Sequence, residues 1–128
     1  MPREPELERK GILLCLSGPS GVGKGTVIAA VKGKTLTLDH SISITTRAPR
    51  GTEQDGVDYY FRTKQEFEAL LGEGEILEHD SYLDNYYGTP RQPIIDKLEA
   101  GRDVIMDVTV PGSLETIRNF PAAVGVFL

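Results

Sequence analysis

Apolar residues in this chain fall into two kinds of run. Gly11-Ile-Leu-Leu-Cys-Leu-Ser17, Asp103-Val-Ile-Met-Asp107 and Ala123 to Leu128 are short and nearly unbroken, the pattern of strands covered on both faces, as in a parallel sheet. Elsewhere apolar residues recur at helical spacing: Val27, Ile28, Ala30 and Val31 before Gly33, Phe67, Leu70 and Leu71 before Gly72 and Gly74, and Ile94, Ile95 and Leu98 before Gly101. Thr63-Lys-Gln-Glu66 is a capping box that opens the second of these helices. Thr89-Pro90 predicts the start of the third, with proline at its first position, and Ser113 predicts the cap of a short helix ending at Asn119.

Strands that alternate with helices predict an α/β fold, a parallel sheet flanked by helices. The middle of the chain differs. Ser41-Ile-Ser-Ile-Thr-Thr46 alternates small polar and apolar residues, the period of a half-covered strand. Asp58-Tyr-Tyr-Phe61, Glu75 to Asp80 and Tyr86-Tyr87 are further short strands, the last two around a turn at Asp84-Asn85. The expected organisation is a discontinuous core of residues 1–40 and 93–128, with a small lobe of residues 41–92 inserted in it. The chain stops at Val126-Phe127-Leu128, inside an apolar strand. A domain seldom ends on an uncovered hydrophobic strand, so the chain is expected to be a fragment, or a gene product cut short.

At 128 residues the chain has the length of one ordinary domain. Its 14 Lys and Arg against 19 Asp and Glu give a net charge of −5, which argues against a general nucleic-acid or acidic-membrane binder. The apolar run at Ile12 to Leu16 is too short for a signal core or a membrane span. The one cysteine, Cys15, excludes an internal disulfide and fits a reducing compartment. The expectation is a soluble cytoplasmic protein.

The segment that follows the first strand carries the most specific chemistry. Gly18-Pro-Ser-Gly-Val-Gly23-Lys24 lies between a predicted strand and a predicted helix, the context that separates a phosphate loop from a chance match. Its glycines let successive N–H groups turn inward as a nest for anionic oxygens at a helix N-terminus, and Lys24 adds a mobile charge. The strict pattern has a hydroxyl directly after the lysine to hold Mg²⁺. Here Gly25 takes that place and Thr26 follows, leaving the metal to be held through water and a carboxylate. Asp107, at the end of the second apolar strand, is the candidate for that carboxylate, or else a surface aspartate at a strand end. Arg47-Ala-Pro-Arg50 supplies two arginines held by a proline turn, able to clamp one phosphate with bidentate forks. Two anion sites suggest two phosphate-bearing substrates that face each other.

Together with Asp55-Gly-Val-Asp-Tyr-Tyr-Phe61, Asn85-Tyr-Tyr-Gly-Thr-Pro90 and Asp103-Val-Ile-Met-Asp-Val108, these segments occur in an order that resembles the guanylate kinase family from about Gly11 to Leu128. The resemblance implies a phosphate-loop kinase core with an inserted nucleoside-monophosphate lobe and Mg²⁺-dependent phosphoryl transfer from ATP to GMP. It implies that Gly18, Pro19, Ser20, Gly21, Val22, Gly23, Lys24, Gly25 and Thr26 hold ATP. It further implies that Arg47, Arg50, Tyr59 and Tyr87 hold the GMP phosphate and that Ser43, Glu78 and Thr89 read guanine. Lys24, Arg47 and Arg50 would then be catalytic. A carboxylate such as Glu78 can accept from both N1–H and the 2-amino group of guanine, whereas adenine sets a lone pair against it. Two departures stand out. Thr109 occupies the place where the family usually has a second acid near the guanine site, and the family's lid, with its phosphate-binding arginines, and its last core elements have no counterpart. Poor turnover by the chain as given is therefore expected. A non-catalytic guanylate-kinase-like binding module and an adenylate-accepting kinase are the alternatives; Gly23-Lys24 speaks against the first, and Ser43, Glu78 and Thr89 against the second.

Overall fold

The computed structural model describes residues 10–18, 24–32 and 38–128, with the side chains of residues 24, 27, 31 and 32 outside that description. The elements run β1 (Leu13–Ser17), α1 (Lys24–Lys32), β2 (Leu38–His40), β3 (Ile44–Thr45), β4 (Tyr60–Phe61), α2 (Lys64–Gly72), β5 (Ile76–Tyr82) and β6 (Asn85–Pro90). α3 (Arg91–Glu99), β7 (Asp103–Asp107), α4 (Val110–Asn119) and β8 (Val124–Phe127) complete the chain.

The three apolar runs become neighbours. They form a parallel sheet of order β2-β7-β1-β8, in which Leu13 to Leu16 stand opposite Val104 to Asp107. Successive side chains point to opposite faces, and on the central strands β1 and β7 both faces are covered. Leu13, Cys15, Val104 and Met106 pack with Ile94 and Leu98 of α3, whereas Leu16 and Ile105 pack with Ile28 of α1 on the other side. The apolar runs of β1 and β7 meet this two-sided burial, and the parallel-sheet expectation holds. The third run is corrected, because β8 lies at the sheet's edge with Val124, Val126 and Phe127 exposed. Cys15 is fully buried, and burial pushes its thiol up to about 11 against a weaker opposing pull from the Ser113 hydroxyl.

A second sheet, β4-β3-β6-β5, is mostly antiparallel and lies over α2. Its own small core is Ile44, Phe67 and Ile76, with the Phe67 ring stacked on Tyr86 at 5.1 Å. The Thr63–Glu66 capping box is present in both directions. Leu77 of β5 leaves this small cluster and is buried with Leu13, Cys15 and Met106 instead, joining the two sheets.

Four further expectations are corrected. The strand expected over 41–46 is reduced to Ile44–Thr45, because the Ser41 N–H bonds to the Ile105 carbonyl as the chain leaves the first sheet for the second. The hairpin turns at Leu83-Asp84, one residue earlier than expected, and both have positive φ, as a two-residue type I′ turn demands. Pro90 ends β6 and sits at the N-cap of α3, because the Thr89 hydroxyl is committed to Glu78 and provides no cap. Thr109, not Ser113, caps α4 by accepting from the Gly112 N–H, while Ser113 is buried inside the helix.

Candidate functional site

β1 and β7 end side by side, with Leu16 opposite Asp107. Ligands of open α/β sheets bind beyond such carboxyl ends of strands. Gly18 follows β1, and Lys24 is the first residue of α1, so the glycine-rich segment joins a strand end to a helix N-terminus as its sequence pattern requires. Pro19, Ser20, Gly21, Val22 and Gly23 lie outside the described residues, and Lys24 is described by its backbone alone. Gly25 and Thr26 are exposed on the first turn. That turn contains no acidic residue, so nothing on it offsets the positive end of the helix dipole.

Beside this edge lies a cleft of about 230 Å³. The end of β7 contributes Asp107 and Val108 follows it, Ser41 comes from the passage between the sheets, and the second sheet and its loops contribute Ser43, Tyr59 and Thr89. The Ser41 Oγ is buried and has no hydrogen-bond partner among the described residues, a polar atom of the kind that a bound ligand satisfies. Thr89 is buried, and its hydroxyl donates to Glu78 Oε2 at 2.7 Å. Burial raises the Glu78 carboxyl above its ordinary 4.5, with the Thr89 hydrogen bond opposing and the Glu115 charge adding to the rise. The structure therefore brings Ser43, Tyr59, Thr89, Glu78 and Asp107 together.

The arginines are arranged less simply than the sequence implies. Arg47 forks onto Glu53, with Nη1 at 2.7 Å and Nη2 at 2.9 Å, and the same carboxylate accepts the Arg50 N–H at 2.8 Å. The Arg47 guanidinium also lies 5.0 Å above the Tyr59 ring, which meets Tyr87 edge-on at 6.2 Å. Arg47, Tyr59 and Tyr87 are thus one cluster at the cleft wall, while Arg50 is exposed. Glu53 is the first cause of a raised Arg47, and Arg47 in turn holds the Glu53 carboxyl down to about 2. Sequence reasoning missed Glu53. Its only signal was a carboxylate inside a turn-rich loop that also holds two arginines.

Among the described residues no group of three His, Cys, Asp or Glu could cage a metal. Mg²⁺ seldom needs such a cage, since it keeps several waters and takes one or two carboxylates with substrate phosphates. The exposed Asp107 at the strand end, beside the start of the glycine-rich segment, fits that donor set. No helix among the described residues is long and apolar enough to cross a membrane.

The family model described as guanylate kinase matches residues 10–128. A guanylate kinase of Oceanobacillus iheyensis is 50% identical over 122 residues, covering 95% of this chain and 59% of that protein. One of Bacillus subtilis strain 168 is 44% identical over 123 residues, covering 95% and 60%. The crystal structure of guanylate kinase from Anaplasma phagocytophilum superposes with a TM-score of 0.69 at 32% identity, over 92% of this chain and 59% of that one. The chain thus spans about 60% of the length of the curated relatives it matches.

Proposed function

The chain belongs to the guanylate kinase family, and on that premise we propose that the whole protein transfers the γ-phosphoryl group of ATP to GMP, giving ADP and GDP. The observation that carries this reading is the Glu78–Thr89 pair beside a cleft that Ser43, Tyr59 and Asp107 share. An ionised Glu78 accepts from N1–H and the 2-amino group of guanine, and Thr89 holds the carboxylate in place. Ser43 offers a further hydroxyl to the base. Arg47, Arg50, Tyr59 and Tyr87 take the GMP phosphate.

In this division of labour residues 41–92 bind GMP, and residues 1–40 with 93–128 bind ATP. Gly18 to Thr26 wrap the ATP phosphates, and Lys24 follows the charge that moves in transfer. A bound Mg²⁺, held through Asp107 and water, supplies neutralising charge at the outer phosphates. The arginine cluster holds the GMP phosphate so that its oxygen lies in line with the γ-phosphorus. Positioning and charge stabilisation then suffice, because a phosphate monoester is already a nucleophile and no general base is needed. The 128 residues alone should turn over slowly, since the relatives' remaining length has no counterpart in them. The single cysteine and the acidic balance suit a cytoplasmic enzyme.

Calorimetric titration with ATP, GMP and AMP tests the reading. Binding of both ATP and GMP, with AMP much weaker than GMP and ATP binding lost in Lys24→Met, is the expected result. GMP binding without ATP binding would instead mark a non-catalytic module. Equal affinity for AMP and GMP would remove the guanine assignment of Ser43, Glu78 and Thr89.

A further inference from the structure

β5 is the end strand of its sheet, so its outer backbone groups have no strand partner among the described residues. Side chains of α4 take two of them. Asn119 Nδ2 donates to the Leu77 carbonyl at 2.9 Å, and the His79 N–H donates to Glu115 Oε1 at 2.8 Å. The His79 imidazole Nδ1 lies 3.5 Å from the same oxygen. Gly112, Glu115 and Asn119 share one face of the helix by their spacing, and Gly112 provides the third contact. A Cβ there would lie 2.9 Å from Glu78 Oε1. Glu78 is therefore flanked on both sides by residues tied to α4, with its carboxylate against the first turn of that helix.

The bracket matters because the β5–β6 pairing shifts register between Ile76 and Glu78. Such an irregularity re-aims side chains and loosens the ladder's control of direction. We propose that Glu115 is a positioning residue for base recognition: by holding the His79 N–H it sets the direction in which Glu78 presents its carboxylate. The proposal rests on the guanine-reading role given to Glu78 above. Glu115 acts through geometry and in spite of its charge, because a second anion near Glu78 makes ionisation harder. The two effects separate cleanly. Glu115→Gln keeps an acceptor for the His79 N–H and loses the charge, whereas Glu115→Ala loses both.

The test is calorimetric titration of the parent chain and both variants with GMP and with inosine monophosphate, which lacks the 2-amino group. Thermal unfolding of each variant is followed in parallel. Glu115→Ala should bind GMP about tenfold more weakly, the effect of one misaligned charge-assisted hydrogen bond, and its preference for GMP over inosine monophosphate should shrink. Glu115→Gln should retain both. Full preference in Glu115→Ala, or equal behaviour of the two variants, overturns the proposal while leaving GMP recognition intact. If the parent itself does not bind GMP, the functional reading falls and the proposal with it. Asn119→Ala removes the neighbouring anchor at an exposed position and should also reduce the preference, so full preference there overturns the bracket even if Glu115→Ala does not fold.

Discussion

Burial lifts the Glu78 carboxyl above 4.5, whereas the Arg47 guanidinium pulls Glu53 down to about 2. The consequences for acid have opposite signs. Glu78 has a raised folded-state pKa, so its contribution to stability is present below 4.5 and is lost as pH rises through the folded value. Glu53 has a lowered one, so its contribution is present above 4.5 and is lost as pH falls toward about 2. In the proposed function the pH dependence of base recognition follows Glu78, since only its carboxylate form accepts from both guanine donors. GMP affinity should therefore fall on acidification with a midpoint above 4.5, while the fold itself is still intact. Titrations across pH on the parent and on Glu78→Gln check this. The variant should bind GMP weakly and show no such midpoint, and a midpoint unchanged in it would assign the titration to another group.

At the level of elements, the capping box of α2 offers a local test. Thr63 accepts the Glu66 N–H at 3.0 Å while Glu66 accepts the Thr63 N–H at 2.8 Å. Thr63→Ala should cost about 1 kcal/mol in urea unfolding, the usual value of a lost cap, because α2 carries the buried Phe67 of the second sheet's small core. This box was legible in four consecutive residues, as were β1 and β7, whose unbroken apolar runs leave only a strand buried on both faces, whereas the equally apolar β8 pairs as a strand but stays exposed. Features that depend on distant partners were not. The route of Ser41 along Ile105, the commitment of Thr89 to Glu78 and the hold of Glu115 on His79 join residues 64, 11 and 36 positions apart. No local periodicity encodes them. The same limit applies to the site. Arg47 stands out by its motif and Glu78 through the family resemblance, but the hold of Glu53 on both Nη groups of Arg47 is visible only in three dimensions.

On the scale of the whole molecule, Leu77 links the second sheet to the first. It belongs to the second sheet yet is fully buried among Leu13, Cys15 and Met106 of the first. Leu77→Ala should cost about 2–5 kcal/mol, a range set by how far the cavity collapses, and should weaken the seating of β5 against α4. Chemical denaturation measures the first effect. A parallel GMP titration at a temperature where the variant is folded should show weaker binding than the parent, although Leu77 is not among the residues assigned to the ligand.

The buried thiol at the centre of this packing has a practical consequence. Cys15 is the sole cysteine and is sealed between helices and sheet, where burial pushes its thiol up to about 11. Alkylating reagents attack the thiolate, so they must wait for the interior to breathe. The speed at which iodoacetamide tags this protein under native conditions is thus a clock for the opening of its heart, already built in and needing no added label.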